Sequence, residues 1–251
     1  MSKILIPIPG SDFDPSEVSI SWRILHEAGI EITFSTPDGN QATGDPIMLT
    51  GKGLGIWKPL LMAGQDAIQD YNQMIQSQAF RNPIPYSDIQ SSTFRGLLLP
   101  GGHAKGMRPY LESIHLQKVV LHFFDSIKPV GAICHGVLLA ARSINPVTGK
   151  SVLFKYKTTS LLKKQELLAY QMTKLWLNDY YLTYDITVED EVKSFLESPD
   201  QFISGPTPLY RDTESNWNPG FIVRDKNYIS ARWPGDAHKF GHAFLNLLKE
   251  N

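Results

Sequence analysis

The sequence predicts an α/β fold, a three-layer sandwich in which helices cover both faces of a mainly parallel sheet. Short apolar runs alternate with stretches of helical periodicity along the first half of the chain. The first three runs end at Pro or Gly, as strands that enter loops do. Strands and helices in regular alternation build parallel sheets with helices on both sides.

The predicted strands are apolar runs bounded by turn residues. Residues 30–35 alternate in polarity and are followed by Pro37-Asp-Gly39, and residues 94–99 run into Pro100-Gly-Gly102. The predicted strands cover residues 3–9, 30–35, 94–99, 129–133, 221–224 and 228–233.

Helices are predicted where apolar residues recur every three or four positions. Asp14 is a natural N-cap for the first helix, with Pro15 at its first position, and Gly29 is a natural end. Thr187 begins a short helix late in the chain. The other predicted helices cover residues 112–127, 136–143, 160–179 and 236–249, and residues 63–80 have helical character.

Two segments break the alternation, residues 40–93 and residues 155–219. We interpret the chain as a single domain, residues 1–251, with these segments as cap insertions over the carboxyl edge of the sheet, where open α/β sheets place their sites. The Tyr, Trp and Leu side chains between residues 161 and 184, Leu168 and Leu175 among them, are predicted to form the core of the second cap. The alternative is that some of them line the pocket.

Composition excludes several classes of protein. The 251 residues carry 24 Lys+Arg and 25 Asp+Glu, and this balance argues against a nucleic-acid binder. No apolar run approaches the roughly 20 residues of a membrane span. Pro7 interrupts the apolar start, so we expect no secretory signal and a cytoplasmic location. One cysteine forms no internal disulfide.

Cys134, the single cysteine, lies where a predicted buried strand meets a predicted helix. Ser at this place forms the nucleophile elbow of hydrolases, and here Cys stands instead. Backbone N–H groups and the positive helix end favour a thiolate, so we predict a reactive thiol with a lowered pKa. The alternative is a small buried hydrophobic residue.

His238 and His242 lie four residues apart on the last predicted helix, a spacing that can share a metal ion. No third ligand is evident nearby in the sequence, so a solvated helix face is the preferred interpretation. We expect neither a metal nor an organic cofactor.

Three motifs occur in the order seen in a known superfamily: Asp14-Pro-Ser-Glu-Val18, Leu99-Pro-Gly-Gly-His103 and Ala132-Ile-Cys-His-Gly136. The chain resembles the ThiJ/PfpI superfamily over about residues 3–154, which implies the flavodoxin-like fold of class I glutamine amidotransferases. Phe34-Ser-Thr-Pro-Asp-Gly39 further resembles its chaperone and glutathione-independent glyoxalase branch.

The resemblance implies that Glu17 approaches the Cys134 nucleophile as a proton carrier. A protonated Glu17 avoids charge repulsion with a thiolate and donates a hydrogen bond to the sulfur. The alternative is a capping box, in which Asp14 caps the first helix and Glu17 reaches back to the N–H of Asp14.

The resemblance also implies a triad in which His135 acts with a downstream acid. Residues 149–159, where relatives carry that acid, contain none. Glu166 is the next candidate to accept a hydrogen bond from the His135 ring. The alternative is a solvated Glu166 that pairs with Lys163 or Lys164.

Backbone N–H groups complete the site implied by the resemblance. Gly101 and Gly102 are expected to form an oxyanion hole with the N–H of His135. His103 is a candidate to line the pocket. A plain glycine turn is the alternative for Gly101 and Gly102.

The function implied by the resemblance is a cysteine-dependent enzyme on small reactive dicarbonyls, a glutathione-independent glyoxalase or D-lactate dehydratase. The alternative is a non-catalytic redox or stress protein, or a holding chaperone for unfolded polypeptides, with an oxidisable Cys134. An intracellular cysteine peptidase or a deglycase is a weaker alternative. We expect no nucleic-acid or membrane partner, and a homodimer stays open.

Overall fold

Nine strands are present in the computed structural model, which describes residues 3–250. They are β1 (Lys3–Pro7), β2 (Ser11–Phe13), β3 (Glu31–Thr36), β4 (Thr43–Gly44), β5 (Ile84–Pro85), β6 (Gly96–Leu99), β7 (Val130–Ile133), β8 (Ile222–Asp225) and β9 (Tyr228–Ala231). Seven of them form one sheet in the order β5-β3-β1-β6-β7-β9-β8, and β2 pairs with β4. Only β8, antiparallel to β9, departs from the parallel arrangement of the main sheet.

The helices are α1 (Pro15–Glu27), α2 (Pro46–Thr50), α3 (Lys58–Leu61), α4 (Gln65–Met74), α5 (Gln78–Arg81), α6 (Arg108–Leu111), α7 (Ile114–Asp125), α8 (Gly136–Ala141), α9 (Lys163–Leu177), α10 (Val188–Ser194) and α11 (Ala237–Glu250). Helix α1 packs against α4 and α11, and α7 packs against α8. Within residues 3–250, no helix has the length and apolar character of a membrane span.

The predicted fold class, a flavodoxin-like α/β sandwich with a mainly parallel sheet, is confirmed. The middle strands β6 and β7 are buried along their whole length, as strands covered on both faces are. Each predicted strand and helix has a counterpart with ends shifted by a few residues. The region predicted as helical over residues 63–80 is two helices, α4 and α5.

The segment of residues 40–93 does more than cap the sheet. Its strand β5 extends the main sheet beside β3, and its helix α4 packs against α1. Part of this segment therefore belongs to the sandwich itself.

Helix α9 of the second insertion does not pack as the sequence predicts. The helix buries only Glu166 and Thr173, whereas Leu168 is 59% exposed and Leu175 is 86% exposed. The prediction of a cap core is therefore wrong for these two leucines, whereas Tyr170 and Leu177 of α9 pack against a small apolar cluster around Met48. The alternative, that some of these side chains line a pocket, is confirmed for Leu161, Leu168 and Tyr181.

Candidate active site

Cys134 stands on a strained turn between β7 and α8. Its φ is 57°, a left-handed conformation that is rare for residues other than glycine, and its N–H donates to the Ala231 carbonyl at 3.1 Å. A side chain at Gly136 would place its Cβ 2.1 Å from the Leu99 oxygen, so only glycine fits there. The predicted elbow is therefore present, and Cys134 is 4% exposed.

Glu17 reaches the elbow from the first turn of α1. Asp14 caps that helix, since its Oδ1 accepts from the N–H of Ser16 at 2.8 Å and of Glu17 at 3.1 Å. The Glu17 carboxyl does not reach back to Asp14, whose N–H donates to the Gly101 carbonyl. The capping-box interpretation is thus correct for Asp14 and wrong for Glu17.

The Glu17 carboxyl is fully buried against the Cys134 thiol. Its Oε2 accepts from the N–H of Gly101 at 2.7 Å, whereas Oε1 has no hydrogen-bond partner of standard geometry within residues 3–250. Burial and then the charge of Asp14 raise the pKa of Glu17 well above its usual value. Glu17 is therefore able to hold a proton near neutral pH.

Two opposing effects act on the Cys134 thiol. Burial and the negative charges of Glu17 and Asp14 raise its pKa, and the N–H of His135 lowers it by less. The prediction of a lowered thiol pKa is wrong in direction for this site, because burial and two carboxyls outweigh the helix end. The close Cys134–Glu17 pair therefore retains at least one proton at neutral pH.

His135 follows the cysteine and is fully buried behind it. Its Nδ1 lies 3.4 Å from Cys134 Sγ, and its Nε2 lies 2.9 Å from the Thr183 hydroxyl oxygen. The Thr183 hydroxyl donates to the His103 carbonyl at 2.5 Å, so its oxygen accepts from His135 Nε2–H. This leaves Nδ1 unprotonated, and it accepts from the Cys134 thiol.

Burial lowers the pKa of His135 to about 3, so the ring is neutral at physiological pH. Thr183 is held in place by Arg108, whose guanidinium donates twice to the Thr183 carbonyl, at 2.9 Å and 2.6 Å. Thr183 is the residue that the sequence did not reveal. Its segment, between α9 and α10, carries no periodic pattern or motif that singles it out.

Glu166 is not brought to His135, contrary to the prediction that it accepts from this ring. Both ring nitrogens of His135 are already engaged, and Glu166 Oε2 instead accepts from the N–H of Val188 at 3.0 Å, at the start of α10. The alternative of a solvated Glu166 is also wrong, since it is 2% exposed. Burial raises the pKa of Glu166 to about 7.

The expected oxyanion hole is only partly available. The N–H of Gly101 is occupied by Glu17, so this residue cannot also bind an oxyanion. Within residues 3–250 the N–H of Gly102 has no acceptor, and Gly102 faces the cavity. The N–H of His135 points towards the Cys134 sulfur.

A cavity of about 180 Å³ opens in front of Cys134 and Glu17. His103 lines it, as predicted, and stacks on Tyr181 with ring centroids 4.4 Å apart. The cap contributes Leu161, Gln165, Glu166 and Met172 to its walls, whereas His135 and Thr183 stay behind the cysteine. The cavity walls are mostly apolar.

The histidines of the last helix have other partners than a metal site in the described part of the chain. His238 is 1% exposed and lies between Asp66 Oδ2, at 3.0 Å, and Glu214 Oε2, at 3.2 Å. His242 stacks on Trp217 with ring centroids 3.9 Å apart. Within residues 3–250 no cluster of three metal-ligating side chains occurs. The expectation of a solvated face is wrong for His238.

The sheet is open and mainly parallel, and a buried cysteine stands on the elbow after a middle strand with a glutamate against its sulfur. These features define an α/β protein with a cysteine at the nucleophile elbow. The chain belongs to the ThiJ/PfpI family: a family model described as ThiJ/PfpI family-like matches residues 8–206.

Relatives with assigned names agree with this family. The chain is 26% identical to a glutathione-independent glyoxalase of Schizosaccharomyces pombe over 224 residues, which cover 88% of this chain and 85% of the relative. It is 24% identical to a deglycase of Thermococcus kodakarensis over 170 residues, or 66% of this chain and 69% of the relative.

A solved structure of glyoxalase III from Candida albicans has a similar fold. Its TM-score is 0.69 at 18% identity, and the match covers 100% of this chain and 98% of that one. At this identity the likeness shows the fold alone.

Proposed function

We propose that this chain is a glutathione-independent glyoxalase that converts methylglyoxal and water into D-lactate. The observation that carries the proposal is the contact of Glu17 with Cys134 inside a small, mostly apolar cavity. A nucleophile and a proton carrier held together there can act on adjacent carbons of one small substrate.

The reaction begins with addition of Cys134 sulfur to the aldehyde carbon of methylglyoxal. The proton shared by the Cys134–Glu17 pair moves to the aldehyde oxygen, which gives a hemithioacetal and leaves Glu17 as a carboxylate. The charge of Glu17 is one cause of the high thiol pKa of Cys134. When the shared proton is on Glu17, that charge is absent, and the sulfur can react as a thiolate. Gly102 N–H is the available donor to the oxygen.

Proton transfer between the two carbons follows. The Glu17 carboxylate removes the C1 proton, and the resulting enediolate receives that proton at C2 while the O1 proton moves to O2. The product is a lactoyl thioester on Cys134. Oε1 of Glu17, which has no other partner of standard geometry among residues 3–250, is the atom that carries the proton.

Hydrolysis completes the cycle. Water adds to the thioester carbon and the C–S bond breaks; one proton of the water passes to the sulfur, and the other is released to solvent as the product leaves as lactate. His135 Nδ1, which is unprotonated and 3.4 Å from the sulfur, accepts the thiol hydrogen bond in the restored state. Neither a metal ion nor an organic cofactor takes part in this sequence.

Intact-protein mass spectrometry of Glu17→Gln tests this proposal. A variant without the proton carrier should form the hemithioacetal but not process it. We expect an adduct of one methylglyoxal, mapped to Cys134, to persist in Glu17→Gln and to be absent from Cys134→Ser. Adduct formation on lysines or arginines alone, with Cys134 unmodified, would contradict the proposal.

A redox role for the same cysteine is the second candidate. The unpartnered Oε1 of Glu17 against the sulfur suits a hydrogen bond to a sulfinate oxygen. Peptide mass spectrometry after peroxide treatment distinguishes the two. A sulfinate that forms at Cys134 in a protein without methylglyoxal turnover favours the redox role over the glyoxalase.

A further inference from the structure

Arg211 lies in the wall of the same cavity, in the loop between α10 and β8. Its guanidinium carbon lies 5.4 Å from the centroid of the Trp233 ring, which also lines the cavity. One nitrogen, Nη2, donates to the Leu60 carbonyl at 3.3 Å. Within residues 3–250 Arg211 makes no other hydrogen bond and no ion pair, so most of its five N–H donors lack an acceptor.

Other half-buried and buried arginines of this protein are paired. Arg232, next to Trp233 in sequence, binds Asp236 through two nitrogens, each at 2.9 Å. Arg142 binds Glu191 in the same way, at 2.7 Å and 3.0 Å. A guanidinium out of bulk water normally has such a partner, because its desolvation is otherwise uncompensated.

The carboxylates within electrostatic range of Arg211 are engaged elsewhere. Asp14 caps α1, and Asp212 accepts from the N–H groups of His238 and Lys239 at the start of α11. Asp66 binds His238. Each of these three carboxylates therefore already accepts hydrogen bonds from a group other than Arg211.

Two further donors in the cavity wall have no acceptor. The indole N–H of Trp233 and the phenol O–H of Tyr181 are buried without a hydrogen-bond partner in residues 3–250. Both residues line the cavity, and Tyr181 also interacts electrostatically with Arg211. The indole and phenol donors are themselves shielded, so the Arg211 guanidinium is the group in this wall suited to an anionic oxygen ligand.

We infer that Arg211 binds a carboxylate at the end of the substrate remote from the aldehyde. The inference rests on the proposed glyoxalase reaction and names its substrate class: 2-oxoaldehydes that carry a carboxylate on a short apolar chain. The bidentate geometry of guanidinium matches a carboxylate, and the apolar walls of Leu161 and Met172 suit the methylene groups between the two ends.

A pair of substrates that differ only in this charge provides the first test. The probes are 4,5-dioxopentanoate and its methyl ester, compared by kcat/KM in glutathione-free buffer. We expect the acid to be preferred by about tenfold or more, mainly through KM, and the preference to shrink as salt is added. Equal kcat/KM values for acid and ester would overturn the inference.

Substitution of Arg211 tests whether this residue causes the preference for the acid over the ester. In Arg211→Met the acid-to-ester ratio should fall to about one, and in Arg211→Lys part of the preference should remain. The ratio does not depend on how much of a preparation is folded, because both substrates are measured on the same sample. Arg224→Met, which removes an exposed arginine paired with Glu250, is the matched control and should keep the ratio. An unchanged ratio in Arg211→Met would overturn the inference.

A binding measurement separates this inference from the glyoxalase proposal. The probe is 4-oxopentanoate, which has the carboxylate but no aldehyde, added to the Cys134→Ser protein. Saturable binding by calorimetry that Arg211→Met abolishes would support the carboxylate site even if no substrate is turned over. Turnover of methylglyoxal without such binding would overturn the Arg211 inference and leave the glyoxalase proposal standing.

Discussion

The Thr183 hydroxyl fixes the tautomer of His135. Because this hydroxyl donates to the His103 carbonyl, its oxygen accepts from His135 Nε2–H at 2.9 Å, and Nδ1 is left as an acceptor towards Cys134. A neutral threonine thus occupies the place where a triad has an orienting acid. In the described part of the chain neither ring nitrogen binds a carboxylate that would stabilise an imidazolium, in keeping with the pKa of about 3.

Replacing Thr183 by valine should lower kcat for methylglyoxal by about tenfold or more, because the ring loses the group that fixes its tautomer. KM should remain unchanged, since Thr183 does not line the cavity. Thr183→Ser should keep most of the activity. Nitrogen NMR of the His135 ring should show a mixed tautomer in Thr183→Val.

Thr173→Val is the control for the loss of a buried threonine hydroxyl. Within residues 3–250 the Thr173 hydroxyl bonds only to the Ala169 carbonyl of its own helix, so this variant should keep kcat. A Thr183→Val protein with unchanged kcat, or with raised KM alone, would contradict the positioning role.

Glu17→Gln should lower kcat by about a hundredfold or more, the usual size of an acid–base contribution. Its free energy of unfolding should stay within about 1 kcal/mol of wild type, because the amide oxygen still accepts from Gly101. Glu27→Gln, on the exposed side of the same helix, is the kinetic control. Retained activity together with a large loss of stability would assign Glu17 a structural role instead.

Asp14→Asn should shift the pH profile of Cys134 alkylation by iodoacetamide to lower pH. Asn still caps α1, whereas the charge that raises the thiol pKa is gone. The control is Asp45→Asn, since Asp45 caps α2 in the same way, through the N–H groups of Ile47 and Met48. An unmoved profile in Asp14→Asn, or an equal shift in the control, would contradict this account of the thiol.

Glu166 makes stability depend on pH. Its folded pKa of about 7 lies above the ordinary value of 4.5, so the native state binds its proton more tightly and stability falls as pH rises from about 4.5 to 7. Glu166→Gln removes this fall and keeps an acceptor for Val188. The variant should therefore gain stability over wild type with rising pH, by up to about 3 kcal/mol.

Urea unfolding between pH 4 and pH 8 measures the difference. Glu197→Gln, which removes an exposed glutamate, controls for the change in net charge. A constant difference between Glu166→Gln and wild type across this range would show that Glu166 is not held protonated by burial.

The features of the site that depend on residues close together in the sequence were predicted correctly. The elbow at Cys134 follows from a buried strand that runs into Cys-His-Gly, and the cap at Asp14 follows from Asp-Pro-Ser-Glu. These features depend on neighbours within a few residues. The fold class follows from the same alternation of short segments, whereas the order of the strands in the sheet was not predicted.

The features that depend on contacts between residues far apart in the sequence were not predicted. Thr183 lies 48 residues from His135 in sequence, and Gly101 lies 84 residues from the Glu17 carboxyl that occupies its N–H. The direction of the Cys134 pKa depends on burial and on two carboxyls brought together by the fold. Helix α9 has an apolar pattern, yet two leucines of that pattern are exposed, while other residues of the helix line the cavity or pack on a small apolar cluster around Met48.

The formation of D-lactate from methylglyoxal in glutathione-free buffer, resolved by enantiomer, tests the central claim most directly. We expect the wild-type protein to form D-lactate in amounts equal to the methylglyoxal consumed, and Cys134→Ser to form none above the buffer rate. Lactate formation that persists in Cys134→Ser, or its absence in a folded wild-type protein, would contradict the account.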